Sequence, residues 1–177
     1  MAKLTKTKLK KILQEQSKEQ LIDTMMTLFA NKDIAEQINL IYNKDYETEY
    51  LEQAKKKIYK SFFPTRTSIN TKISAPKKIV TDFCKLSNNY YNIADLQLYY
   101  VETVLEILDL ECITDSLLNT FIDMLWESVI SMNHLDRQQY FKFFSRLHYI
   151  EHICYTLGYG LDDATINSCD YRVCIPM

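Results

Sequence analysis

Glycine is nearly missing from this 177-residue chain, which holds two, Gly158 and Gly160, and proline occurs only three times. A β-rich protein needs such residues at its turns every few positions, so this scarcity excludes a sandwich or barrel and leaves long helices joined by short polar links. An uninterrupted apolar run is missing too. Residues 93–108 are broken by Asp95, Glu102 and Glu106, and residues 117–132 by Asp123 and Glu127. Neither reaches the roughly 18 apolar residues of a membrane span. The first eleven residues, MAKLTKTKLKK, carry five lysines with no apolar signal-peptide core behind them, which predicts a protein retained in the cytoplasm.

What is present is ordinary for a soluble domain: 47% apolar and 25% charged residues, in a chain long enough to bury a core of its own. The five cysteines, Cys84, Cys112, Cys154, Cys169 and Cys174, are odd in number, and three fall within apolar helical patterns. They read as reduced thiols, not as a disulfide framework. Cys169 and Cys174 form a lone C-x4-C pair, too little for a structural zinc site.

Helical periodicity runs through the whole length. Leu9, Ile12 and Leu13 predict a short basic helix. Ser17 and Gln20 have capping-box spacing ahead of Leu21, Met25, Leu28 and Phe29, which predicts a helix over residues 18–30. Asp33 is the expected cap of the next, with Ile34, Ile38 and Ile41 on one face. Tyr46, Tyr50, Ala54, Ile58 and Phe62 step by four until Pro64 stops them. Residues 64–75 form the one long loop. Pro76 then suits a first helical position, and Ile79, Val80, Phe83 and Cys84 form an apolar face. Residues 93–108 are apolar around most of the circumference and predict the central helix, with Tyr99, Tyr100, Val101, Val104 and Leu105 buried. Residues 117–132, capped by Thr114 or Asp115, and residues 140–157, capped from Asp136, predict two more long helices. The expectation is an all-α, single-domain bundle of seven or eight helices over residues 1–165, followed by a short C-terminal tail at 166–177.

Thr156-Leu157-Gly158-Tyr159-Gly160 looks like a potassium-channel filter, but a filter without pore helices has no pore to line. Gly158 at the end of the last helix instead predicts a C-cap in positive φ. Charge is divided unevenly. Residues 1–88 carry 17 basic and 10 acidic side chains, a net of +7, and residues 89–177 carry 4 and 13, a net of −9. Either the halves pack with complementary fields or the basic half meets an acidic partner.

Three constellations invite chemistry. His148, Glu151 and His152 match H-x-x-E-H, with both histidines on one helical face as zinc ligands would be. Only 25 residues follow His152, too few for the distant acidic ligand of such proteases, so no metal or other cofactor is expected. Asp95, Glu102, Glu106 and Asp109 make an acidic stripe, but its helix has no histidine to complete a carboxylate-bridged metal pair. It reads as a solvated face or a contact to the basic half. Lys55, Lys56, Lys57, Lys60, Arg66, Lys72, Lys77 and Lys78 surround the long loop with Tyr59, Phe62 and Phe63 among them, a pattern that can follow a single-stranded nucleic acid without reading its bases. Glu52 is set to pair with Lys56 at i, i+4.

LKKILQEQSKEQL at 9–21 with Leu28, KIYKSFFP at 57–64, APKKIVTDF at 75–83, DLQLYYVE at 95–102 and GYGLDD at 158–163 together resemble an uncharacterised family of small all-helical bacterial proteins known only as a domain of unknown function. Its pattern sets an aromatic between the two glycines and an acid after them, here Tyr159, Asp162 and Asp163; where the pattern has a histidine, this chain has Asp162. The resemblance implies a cytoplasmic helical protein and supplies no activity. With no nucleophile, base and orienter in one place, the sequence predicts a non-enzymatic protein acting through protein–protein interaction. Its candidate binding residues are Lys55, Lys56, Lys57, Lys60, Arg66, Lys77, Lys78, Tyr159, Asp162 and Asp163. Weak nucleic-acid binding through the basic half, and a hydrolase built on His148, Glu151 and His152, are the alternatives.

Overall fold

The computed structural model describes residues 4–110 and 114–158, with Asp33 described by its backbone alone. Within them the chain forms α1 (Lys6–Glu15), α2 (Lys18–Phe29), α3 (Lys32–Tyr42), α4 (Lys44–Phe62), α5 (Ser74–Leu86), α6 (Tyr90–Asp109), α7 (Asp115–Met132), α8 (Arg137–Phe141) and α9 (Phe144–Leu157). The fold is all-α, and no helix among the described residues is long and apolar enough to cross a membrane. Cys112, Cys169, Cys174, Tyr159, Gly160, Asp162, Asp163 and the tail at 166–177 lie outside the described residues.

Local signals set most helix starts. Ser17 and Gln20 bond reciprocally as a capping box, Asn43 Oδ1 accepts from the Tyr46 amide at 3.2 Å, and Thr114 Oγ1 accepts from Leu117 at 3.2 Å. The cap expected at Asp33 belongs to Asn31, whose Oδ1 accepts from the Ile34 amide at 3.4 Å; the helix begins earlier and takes Asp33 into its first turn. Pro76 is likewise the third residue of α5, not the first. First-turn amides have no partner within a helix, so proline costs nothing there.

The long helix expected at 140–157 is broken. Asp136 caps α8 through a capping box with Gln139, but the amides of Lys142 and Phe143 then reach back only three residues, to Gln139 and Tyr140. This tightened turn re-aims the chain so that Tyr140, Phe143 and Leu147 are all buried. At the far end the Gly158 amide bonds the Cys154 carbonyl at 3.1 Å with φ +75°, a backbone that side-chain-bearing residues avoid.

The core is built around α6, which packs most extensively on α7 and also meets α4, α5 and α9. Twelve of its twenty residues are buried, Tyr100, Val101, Val104 and Leu105 among them, while Tyr99 is partly exposed. At about 1.5–3 kcal/mol for each large apolar side chain removed from water, this helix anchors the fold. Phe62 enters from α4 and meets Tyr100 edge-on at 5.5 Å. The main hydrophobic cluster runs from Leu51 to Cys154 and takes no residue from α1, α2 or α3.

Candidate functional sites

The loop between α4 and α5 is folded against the helix end that precedes it. Pro64 cannot continue α4. Asn70 bonds the freed carbonyls instead, its amide to Phe62 at 2.7 Å and its Nδ2 to Ser61 at 2.9 Å. That return holds Arg66 beside Tyr59, Lys60 and Phe63 around a surface recess of about 620 Å³. Tyr59 and Phe63 lie 4.8 Å apart at 32°, with Tyr59 exposed. Lys56, Lys60, Arg66 and Lys78 are exposed and make no ion pair among the described residues. Lys57 sits 6.0 Å from the Tyr50 ring, and Lys77 reaches Asp123 at 3.7 Å. Phe62 is buried, so an aromatic contact to a ligand here would come from Tyr59 and Phe63.

Lys55 does not belong to that exposed surface. Its Nζ bonds Asp95 Oδ2 at 2.8 Å and Glu52 Oε1 at 3.0 Å, so Glu52 pairs at i, i+3 and not with Lys56 as expected. Asp95 in turn meets Arg146 Nη1 at 2.5 Å, and Arg146 also holds Glu102. Burial lowers the Lys55 and Arg146 pKa values, but their carboxylate partners outweigh it and leave both raised. The acidic stripe is thus split: Asp95 and Glu102 are half-buried in an ion-pair cluster, while Glu106 and Asp109 face solvent. Partial desolvation, and then the nearby Glu102 charge, raise the Glu106 pKa. Among the described residues, two ties, Lys55–Asp95 and Lys77–Asp123, join the basic half to the acidic half.

His148 Nδ1 lies 3.1 Å from Glu151 Oε2, and His152 is exposed on the same helix. His148 also meets Phe144 edge-on at 4.3 Å. Among the described residues no group of three His, Cys, Asp or Glu side chains is arranged to hold a metal ion.

Two further features escape the sequence reading. In α1 and α2 no residue is buried, and Leu9, Ile12, Ile22, Met25, Met26, Leu28 and Phe29 are each at least 40% exposed. Leu9, Leu13 and Leu21, with Lys6 and Lys10 at the edge, line an open groove of about 530 Å³ between the two helices. The second feature is Glu47, which is 5% exposed and accepts from the Ser87 hydroxyl and, at 3.5 Å, from Asn89 Nδ2. It borders a recess of about 390 Å³ also lined by Tyr90 and His134, whose rings stack at 4.0 Å and 19°. Glu47 continues the buried stripe Leu51, Ala54, Ile58 and Phe62 by one turn. A charged residue in step with a core stripe was the available signal.

A family model described as a family of unknown function matches residues 4–153. No curated protein and no solved structure matches the chain.

Proposed function

The chain belongs to the DUF6155 family, and because that membership assigns no activity, we propose that it is a non-enzymatic protein acting through protein–protein interaction, with α1 and α2 as its docking element. The observation that carries this reading is the pair of helices without one buried residue and with an apolar face in water. Contiguous exposed apolar surface of this kind marks interaction sites. Its charge selects the partner. Lys6, Lys8, Lys10 and Lys11 lie on α1 and Glu15 is its one acid, so the groove suits an apolar ridge flanked by carboxylates, such as an acidic amphipathic helix of another protein. The bacterial cytoplasm is part of the same reading, supported by the free thiol of Cys84.

The test compares capture of partners from the native host by the wild-type chain and by a double variant, Leu9→Ser with Ile12→Ser. The reading expects a salt-sensitive partner with an acidic, apolar binding segment that the double variant loses while keeping its melting temperature. Retention of every partner by the variant, or binding of anionic vesicles in place of protein, would overturn it. A wild-type chain that sediments as a dimer disrupted by the same variant would identify a second copy as the occupant.

A second reading rests on Lys56, Lys60 and Arg66, exposed beside Tyr59 and Phe63 and without an ion pair among the described residues. They support weak, sequence-independent binding of single-stranded nucleic acid. Neutralising Lys56, Lys60 and Arg66 together should abolish low-salt binding of an oligonucleotide. Equal binding by that triple variant would discard the reading.

A further inference from the structure

Glu47 differs from the other carboxylates drawn into this fold. Asp95 and Glu102 lose water but gain Lys55 and Arg146. Glu47 is more deeply covered than either, and its partners among the described residues are a hydroxyl and an amide, both neutral. Removing a carboxylate from water is costly unless a positive charge or several donors replace the hydration. Lys44, one turn back on α4, borders the same recess but makes no ion pair with Glu47.

The recess supplies what a ligand would need besides the charge. It opens where the end of α3, the start of α4, the α5–α6 turn and the α7–α8 turn converge, so its wall comes from four separate segments of the chain. Asn88 and Gln139 add amide groups at its edge, and the stacked Tyr90–His134 pair gives it an aromatic wall. A volume of about 390 Å³ suits a small molecule or one long side chain. An aromatic wall next to a carboxylate favours a cation, which the ring face attracts as well.

We propose that this recess binds the ammonium or guanidinium group of a small organic cation, with Glu47 as its counter-charge and the Tyr90–His134 pair as the wall against which the ligand's stem lies. The Ser87 hydroxyl and Asn89 amide orient the carboxylate, so the anion is in place before the ligand arrives. This site is separate from the α1–α2 groove, and its test does not depend on any partner binding there.

The test titrates the full chain with spermidine, agmatine and arginine, with glutamate as an anionic control, and follows binding by calorimetry and by the Tyr90 and His134 resonances. The same titrations use Glu47→Gln, which removes the charge and keeps one acceptor oxygen for Ser87 while giving up the one that faces Asn89, and His134→Ala, which removes half the wall. A peptide with one internal arginine serves as the second arm. The proposal expects saturable binding of at least one cation, no binding of glutamate, at least a tenfold loss in Glu47→Gln with an unchanged circular dichroism spectrum, and a smaller loss in His134→Ala. Binding of the free amines assigns a small-molecule ligand, and binding of the peptide alone assigns an arginine or lysine of a partner protein. No saturable binding of any cation up to millimolar concentration, or equal affinity in wild type and Glu47→Gln, overturns the proposal. If Glu47→Gln fails to fold, the wild-type comparison of cations with glutamate and the His134→Ala shift still decide it.

Discussion

Arg146 on α9 holds Glu102 on α6 at two points, Nε to Oε1 at 2.6 Å and Nη2 to Oε2 at 2.8 Å. The same guanidinium reaches Asp95, so one side chain ties the last described helix to two turns of the central one. A planar fork is required for this, and an ammonium cannot supply it. Arg146→Met should lower stability by about 2 kcal/mol, the range for lost charged hydrogen bonds that leave a carboxylate half-buried. Arg146→Lys should recover only part of that. Urea unfolding measures both, and equal stability of wild type and Arg146→Met would show that the cluster contributes nothing net.

Glu106 gives the pH test. Its folded pKa is raised above the unfolded 4.5, first by partial desolvation and then by Glu102. For a raised acid, the favourable contribution is fully present below the unfolded value and disappears as pH rises through the folded one. Glu106→Gln removes that loss. The variant should match the wild type below pH 4 and exceed it at pH 7 by about 0.5 kcal/mol or less, since the group is exposed. A wild type more stable than Glu106→Gln at pH 7 would contradict the direction.

The positions of the caps were legible in the sequence because each cap is a local event, written within three or four residues of the helix start. Ser17 and Thr114 serve as expected, Asp136 caps the short α8 and not the long helix expected at 140–157, and the cap expected at Asp33 falls two residues earlier, on Asn31. The break between α8 and α9 was not legible, since Tyr140, Phe143 and Leu147 keep apolar spacing whether the turn between them is relaxed or tightened. Long-range pairing was hidden for a different reason. Arg146 and Asp95 are 51 residues apart, and Glu47 and Ser87 are 40 apart, so no period joins them. Which lysine meets Asp95 was hidden for the same reason: three consecutive lysines look alike in sequence, but only Lys55 points along the helix face that reaches it.

Thiol chemistry offers a direct check on burial. Burial, with the Glu127 charge second, pushes the Cys84 thiol up to about 11, and Cys154 is fully buried. A thiolate is the reactive form. Both cysteines should therefore stay unlabelled by iodoacetamide at pH 8 in the native protein and react fully in urea, as mapped by mass spectrometry. Labelling of native Cys84 at the rate of a free thiol would place it outside the packing described above.

Two core substitutions should act in opposite directions. Leu108 is 1% exposed, so Leu108→Ala should cost about 2–5 kcal/mol through lost burial and the cavity left behind. Tyr100 is fully buried, and its hydroxyl has no hydrogen-bond partner among the described residues. Tyr100→Phe keeps the ring against Phe62 and removes the unpaired group, so stability should be unchanged or rise by about 1 kcal/mol. Thermal unfolding of both variants measures the difference, and a large loss in Tyr100→Phe would reveal a partner for that hydroxyl.

The separation of α1 and α2 from the cluster centred on α6 divides the molecule by how readily its backbone opens. A ten-residue helix with no buried side chain is marginal by itself in water. Its amides should exchange with solvent deuterium through local fraying, while those of α6 wait for the whole domain to unfold. Any partner that settles on α1 must then supply the free energy of holding that helix closed. Part of its binding enthalpy goes into order, and a slowing of α1 exchange on association is where that cost becomes measurable.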